Sequence, residues 1–126
     1  VTSPADEQME LPVTAALMHE MLTQTAERPG ADFRVLTYYV TAAPLGNTIR
    51  RTAKEIAQEL KLSPGSVSKS IKRLLVDGWL QVAYTVGSVS FYKAGPKVMN
   101  LAVADIEDLP LAQVHHLPVP AATDAE

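Results

Sequence analysis

The sequence contains no cysteine. That absence excludes disulfide stapling, thiolate nucleophiles and cysteine zinc sites, and it fits a reducing, cytoplasmic setting. Aromatic residues are few, at 6% of the chain with a single Trp. No run of about 18 apolar residues is available to span a bilayer, so no membrane association is expected. The first thirty residues lack the basic-then-apolar layout of a secretory signal. Neither a Gly-x-x-x-x-Gly-Lys phosphate loop nor a Gly-x-Gly-x-x-Gly dinucleotide fingerprint is present. His19, His115 and His116 fall at no spacing with acids that would build a metal cage or a catalytic triad. Neither catalysis nor a metal or other cofactor is expected.

Positive charge is also scarce overall, with 11 Lys or Arg against 14 Asp or Glu and a formal net charge of −3. Its distribution is uneven. Between Arg50 and Lys97 nine cations face three acids, a local balance of +6, whereas the rest of the chain holds two cations and eleven acids, or −9. Such asymmetry marks a basic functional segment flanked by solvating acidic ones.

At 126 residues the chain suits one compact domain with tails. Residues 1–12 are polar and acidic with two prolines and read as a flexible tail. Residues 13–31 carry an N-terminal helix, with Leu17, Met18, Met21 and Leu22 on one face, stopped by Pro29 and Gly30. A second helix is expected after Asp32 as N-cap, with Phe33, Leu36, Val40 and Ala43 at helical spacing, ending before Pro44. After a short β-prone piece at 48–52, Thr52 and Glu55 form a Thr-x-x-Glu capping box ahead of the stripe Ala53, Ile56, Ala57 and Leu60. A tight break follows, with Leu62 plugging the corner, Ser63 as cap and Pro64 in the first helical position. Val67, Ile71, Leu74 and Leu75 line the next helix until Gly78. The period then falls from about 3.6 to 2: Leu80, Val82, Tyr84 and Val86 alternate with Trp79, Gln81, Ala83 and Thr85, and Gly87-Ser88 turns the chain into a β-hairpin. Trp79 reads as a core plug. Tyr84, Phe91 and Tyr92 could stack on single-stranded bases, but alternation should make half of these hairpin aromatics core residues. Residues 96–106 can form one more helix, and 107–126 read as a flexible Pro-rich tail.

The stretches "TAKEIAQELKLSPGSVSKSIKRLLVDGWL" and "VAYTVGSVSFYKAG" carry a resemblance. In order they hold an "IA-x-x-L" run, a Ser-led turn, Ser66-Val67-Ser68 at a "TVS"-like helix start, a Gly-Trp end and a glycine-tipped hairpin. The chain over residues 32–95 thus resembles the winged helix-turn-helix domains of bacterial MarR- and GntR-type regulators and of plasmid replication proteins. The fold implied is mainly α with a small β-hairpin, and the partner implied is double-stranded DNA. MarR-type wings commonly carry an Asp-x-Arg near the tip, where this sequence has "TVGSVS".

A helix enters the B-DNA major groove with its N-terminal half against base edges. At 100° per residue, Lys69 and Arg73 fall opposite the expected core stripe of helix 64–77, flanked by Gly65, Ser66 and Lys72. Pro64 and Gly65 keep the helix start thin, and Ser63, Ser66 and Ser68 offer small hydrogen-bonding groups. Lys69 and Arg73 are the expected readers of guanine edges or phosphates, and Lys54, Lys61 and Lys72 the expected phosphate contacts. Arg50 and Arg51 either guard an exposed strand edge or touch phosphate. Lys93 is the wing's lone cation. The function expected is sequence-specific duplex binding by a transcriptional regulator, a repressor acting as a homodimer; no small-molecule effector is assigned. Rival readings are the DNA-binding module of a plasmid or phage replication or partition protein, and a winged helix that docks an acidic protein.

Overall fold

The computed structural model describes residues 11–114, with side chains described through residue 106. Within them the chain forms helices α1 (Ala15–Gln24), α2 (Gly30–Thr41), α3 (Ala53–Leu60) and α4 (Pro64–Val76). The strands β1 (Leu80–Val86) and β2 (Val89–Ala94) and helix α5 (Pro96–Val114) follow. This is a winged helix-turn-helix fold.

Local chemistry accounts for most of the boundaries. Thr14 caps α1 by accepting the Leu17 N–H at 3.0 Å, and its hydroxyl also donates to Asp105 on α5, tying the two helices together. The predicted capping box on α3 is complete: Thr52 Oγ1 accepts the Glu55 N–H at 3.1 Å, and Glu55 Oε1 accepts the Thr52 N–H at 2.9 Å. That bond from Thr52 holds the Glu55 carboxyl below its ordinary range. Ser63 caps α4 and Pro64 opens it. Between α3 and α4 the chain turns through Lys61, a non-glycine residue at φ 59°, and the Leu62 N–H closes back onto the Ala57 carbonyl at 3.0 Å.

Helices α2, α3 and α4 pack on one another, the hairpin lies against α2 and α4, and α5 rests on α1 and the base of the hairpin. Leu17, Met21, Val35, Leu36, Tyr39, Ile56, Val67, Leu74, Trp79 and Leu80 form the centre of one continuous core. Trp79 is the plug expected of it, buried beneath α5, with Lys97 Nζ 5.0 Å from its ring centroid. Gly95 makes the close approach that joins hairpin to α5. A Cβ there would stand 2.4 Å from the Gly78 carbonyl oxygen.

Several expectations are corrected. Helix α2 begins at Gly30 with Pro29 in the cap position, so Asp32 lies in the first turn rather than at the cap. The buried face of α2 is consequently Asp32, Val35, Leu36, Tyr39 and Val40, with Phe33 and Ala43 only partly covered. Leu22 is an exposed residue of α1, not a core one. Leu11, assigned to the N-terminal tail, packs against the core; the rest of that tail, residues 1–10, lies outside the described residues. Helix α5 runs past residue 106 to Val114, so the first part of the predicted 107–126 tail is helical, while residues 115–126 lie outside the described residues.

The hairpin departs from simple alternation. Its register pairs Leu80 with Ala94 and Val82 with Tyr92, skips Ala83 as a bulge, then pairs Tyr84 with Phe91, Thr85 with Ser90 and Val86 with Val89. A bulged residue shifts the facing of everything beyond it, because side chains alternate with period two. On the base side of the bulge Leu80 and Ala94 are buried, and Tyr92 meets Tyr39 edge-on at 6.1 Å. Tyr84 and Phe91 stack on each other at 5.2 Å on the opposite face, and Val82, Tyr84, Val86 and Val89 are all exposed. Of the three hairpin aromatics only Tyr92 packs against the core, while Tyr84 and Phe91 stack away from it. The β-prone piece before α3 is reduced to one bridge, from the Ile49 N–H to the Tyr92 carbonyl at 3.0 Å.

Candidate nucleic-acid interface

Helix α4 presents its outer side as the sequence leads one to expect in its first half. Ser63 Oγ accepts the Ser66 N–H at 3.1 Å and bonds the Ser66 hydroxyl at 3.0 Å, so both serines are partly committed to the cap. Gly65 has nothing within 4 Å of the place a Cβ would occupy, which leaves the helix start thin. Ser68, Lys69 and Lys72 are exposed. Lys54 at the start of α3, Ser68 and Lys72 on α4, and Ser88, Ser90 and Tyr92 on the hairpin line one groove of about 340 Å³. The structure thus brings three elements together: the N-terminus of α3, the outer side of α4, and the hydroxyl-bearing inner face of the wing. No acid among the described residues forms a salt bridge with Lys54, Lys69 or Lys72.

The second half of α4 differs from expectation. Its buried stripe is Val67, Ser70, Ile71 and Leu74, and Leu75 is only partly covered. Exchanging Leu75 for Ser70 rotates the centre of the stripe by about 35° at 100° per residue. Gly65, Lys69 and Lys72 then face directly outward, and Arg73 moves to the flank. There Arg73 does not point to solvent as a reader would. Its Nε and NH2 atoms donate to the Asp32 carboxylate at 3.0 and 2.6 Å. Ser70 Oγ donates to the same carboxylate at 2.7 Å, and Arg28 does so at 3.2 Å before reaching on to Asp77. Burial alone would raise the Asp32 carboxyl, yet these donors outweigh it and hold the group below its ordinary value. The same bonds raise Arg73 above its own.

The other predicted residues scatter. Arg51 pairs with Glu59 at 2.7 Å, and Glu59 also accepts the Tyr38 hydroxyl at 3.0 Å, which ties α2 to α3. Arg50 is exposed beside a separate hollow shared with Tyr38 and Thr48. Lys61 is exposed at the corner. Lys93 sits near the base of the hairpin opposite Gln81, well back from the tip, so the wing from Leu80 to Tyr92 carries no charge at all. Sequence reasoning missed Asp32 and Ser70. A signal was available: each is a polar residue at i, i+3 spacing within an apolar stripe, Asp32 with Val35, Leu36 and Tyr39, and Ser70 with Val67, Ile71 and Leu74.

Among the described residues no helix is long and apolar enough to cross a membrane, and no group of His, Asp and Glu is placed to hold a metal ion.

The fold and this groove define a winged helix-turn-helix protein, and residues 50–81 match the winged helix-turn-helix DNA-binding family model. No curated protein matches the chain. Solved structures with a similar fold include RV1404 from Mycobacterium tuberculosis, at 15% identity and TM-score 0.51, covering 82% of this chain and 75% of that one. A possible transcriptional regulator from Methanosarcina mazei Go1 is similar at 16% identity and TM-score 0.50, covering 79% and 88%. Apo MarR from E. coli matches more loosely, at 21% identity and TM-score 0.45 over 80% of each chain.

Proposed function

We propose that the chain binds duplex DNA as a transcriptional regulator, a repressor that occupies its site, with α4 in the major groove. The observation that carries this reading is the outward face of α4: Gly65, Lys69 and Lys72 stand clear of any internal acid beside Lys54 and Ser68, while Arg51 and Arg73 are held in ion pairs. Lys69 sits where a base edge or phosphate can be reached, and Lys54 and Lys72 flank it as phosphate contacts. Ser66 and Ser68 offer short hydrogen-bonding groups near the helix start, and Lys61 and Arg50 extend the basic surface. The tip of the wing, which carries no charge, contributes van der Waals contact and hydroxyls. This reading requires a compartment with access to the chromosome, such as the bacterial cytoplasm.

One short helix with so few contacts gains specificity by pairing with a second copy. Helices α1 and α5 are the natural site for it: they pack on each other and leave Val13, Leu22 and Val103 exposed. An unbiased selection of duplexes bound by the full chain tests both points. A dimer on a two-fold site yields two inverted half-sites separated by about one helical turn or a multiple of it. Recovery of no enriched sequence, together with binding that ignores salt, would remove the DNA reading.

A further inference from the structure

The polar cluster beneath α4 goes beyond that reading while resting on it. Asp32 is wholly buried, with 0% of its surface exposed, so it cannot touch DNA. Its carboxylate is nonetheless the hub of the contacts between α2 and the second half of α4, taking Arg73 in a forked bond and Ser70 beside it. Arg28 extends the cluster from the turn after α1 to Asp77 at the end of α4.

We propose that Asp32 and Arg73 are positioning residues for duplex binding: the pair sets the rotation and tilt of α4 against α2, and Arg73 makes no contact with DNA. Two physical points support the assignment. An Arg73 that swung out to a phosphate would strip a buried carboxylate of its forked partner and leave it only Ser70 and the longer Arg28 contact, and an under-compensated buried charge is disfavoured. An apolar set at positions 32, 70 and 73 would bury as well as this one does, since buried ion pairs are commonly replaceable by hydrophobic groups without loss of stability. What an apolar set lacks is direction. Aliphatic contacts tolerate sliding and rotation, whereas the two-pronged bond between guanidinium and carboxylate is satisfied at one orientation of the helices.

The test compares the full-length wild type with Arg73→Lys and with the apolar triple variant Asp32→Leu/Ser70→Ala/Arg73→Met. The probe is a duplex recovered by selection on the wild type, and Lys72→Gln serves as a reference for a lost phosphate contact. Arg73→Lys keeps the charge and loses the fork, so it is expected to weaken binding by about tenfold or more, with the log-log salt slope unchanged. The triple variant is expected to melt no lower than wild type and still to bind weakly, with the wild-type slope. Lys72→Gln should lower the slope by about 0.9.

The proposal is overturned if Arg73→Lys binds as wild type does, which is what a simple phosphate contact would allow. It is equally overturned if the triple variant binds as wild type, or if its slope falls by the Lys72 decrement. Should the triple variant fail to fold, Asp32→Asn replaces it, since that residue is wholly buried and touches no DNA: weaker binding at the wild-type slope is expected, and wild-type affinity overturns the proposal. If the wild type itself binds no duplex, the DNA reading falls and the positioning role goes with it; wild-type binding with unaffected variants removes the positioning role only.

Discussion

Asp32 is the residue where burial and charge conflict most directly, and its titration makes the conflict measurable. The folded carboxyl lies below its ordinary value, so between the folded and unfolded pKa the unfolded chain binds more protons and stability rises with pH. The contribution is therefore fully present above about pH 5 and is lost as acid carries the solution through and below the usual Asp range near 3.9. Melting curves from pH 7 down to about pH 3 should show a shallower acid decline for Asp32→Asn than for wild type. An identical acid limb would show that other carboxylates govern it. Lys61 offers the opposite case, a residue whose backbone is less favourable than it could be. It occupies the left-handed region at φ 59° with a Cβ, where glycine is at ease. Lys61→Gly should raise stability by up to about 1 kcal/mol in denaturant unfolding. Gly95 cannot be changed so freely: a methyl group there would meet backbone atoms of Gly78, Trp79 and Leu80 at 2.4 to 2.8 Å. Gly95→Ala should cost about 1 to 3 kcal/mol or more, read as a drop in melting temperature.

At the scale of elements, the helices with chemical start signals were legible and the geometry between elements was not. The capping box at Thr52 and Glu55, the Ser63-Pro64 start and the Gly78 stop are local signals, and α3 and α4 begin and end where they indicate. Removing one of them should act locally: Thr52→Ala is expected to cost about 1 kcal/mol of stability, and thermal unfolding compared with an exposed control such as Gln58→Ala would test it. The start of α2 was misread because Asp32 suits a cap chemically, while the same carboxylate is needed 38 residues further along the chain by Ser70. No local rule contains that distance. The bulge at Ala83 hid for a related reason, since the alternating run from Leu80 to Val86 is compatible with a flat strand and only the pairing with β2 reveals the extra residue. The outward placement of Gly65, Lys69 and Lys72 on α4 followed from helical periodicity. That of Arg73 did not, because a single buried serine turned the helix.

On the whole molecule, charge is segregated and partly neutralised within the fold. Of the nine cations between Arg50 and Lys97, Arg51 and Arg73 are spent on internal acids and Lys97 lies over Trp79. The six that remain set a log-log salt slope for duplex binding of magnitude about 4 to 6 per domain, at about 0.9 per phosphate. Titrations across a fourfold range of salt would measure it, and a slope near zero is incompatible with the proposed interface. The anchoring of α4 carries one more consequence. The forked bond grips the helix at Arg73, near its C-terminal end, while Pro64 begins it nine residues away, about 13 Å along the axis at 1.5 Å per residue. The helix is in effect a beam seated on the core through Val67, Ile71 and Leu74 and clamped in direction at Arg73. A pivot of about 10° at the grip carries the tip about 2 Å, enough to make or break a hydrogen bond to a base edge. Under the proposed duplex reading, the orientation set at Arg73, and shared with the turn between α1 and α2 through Arg28 and Asp32, is thus a term in how the start of α4 meets base edges.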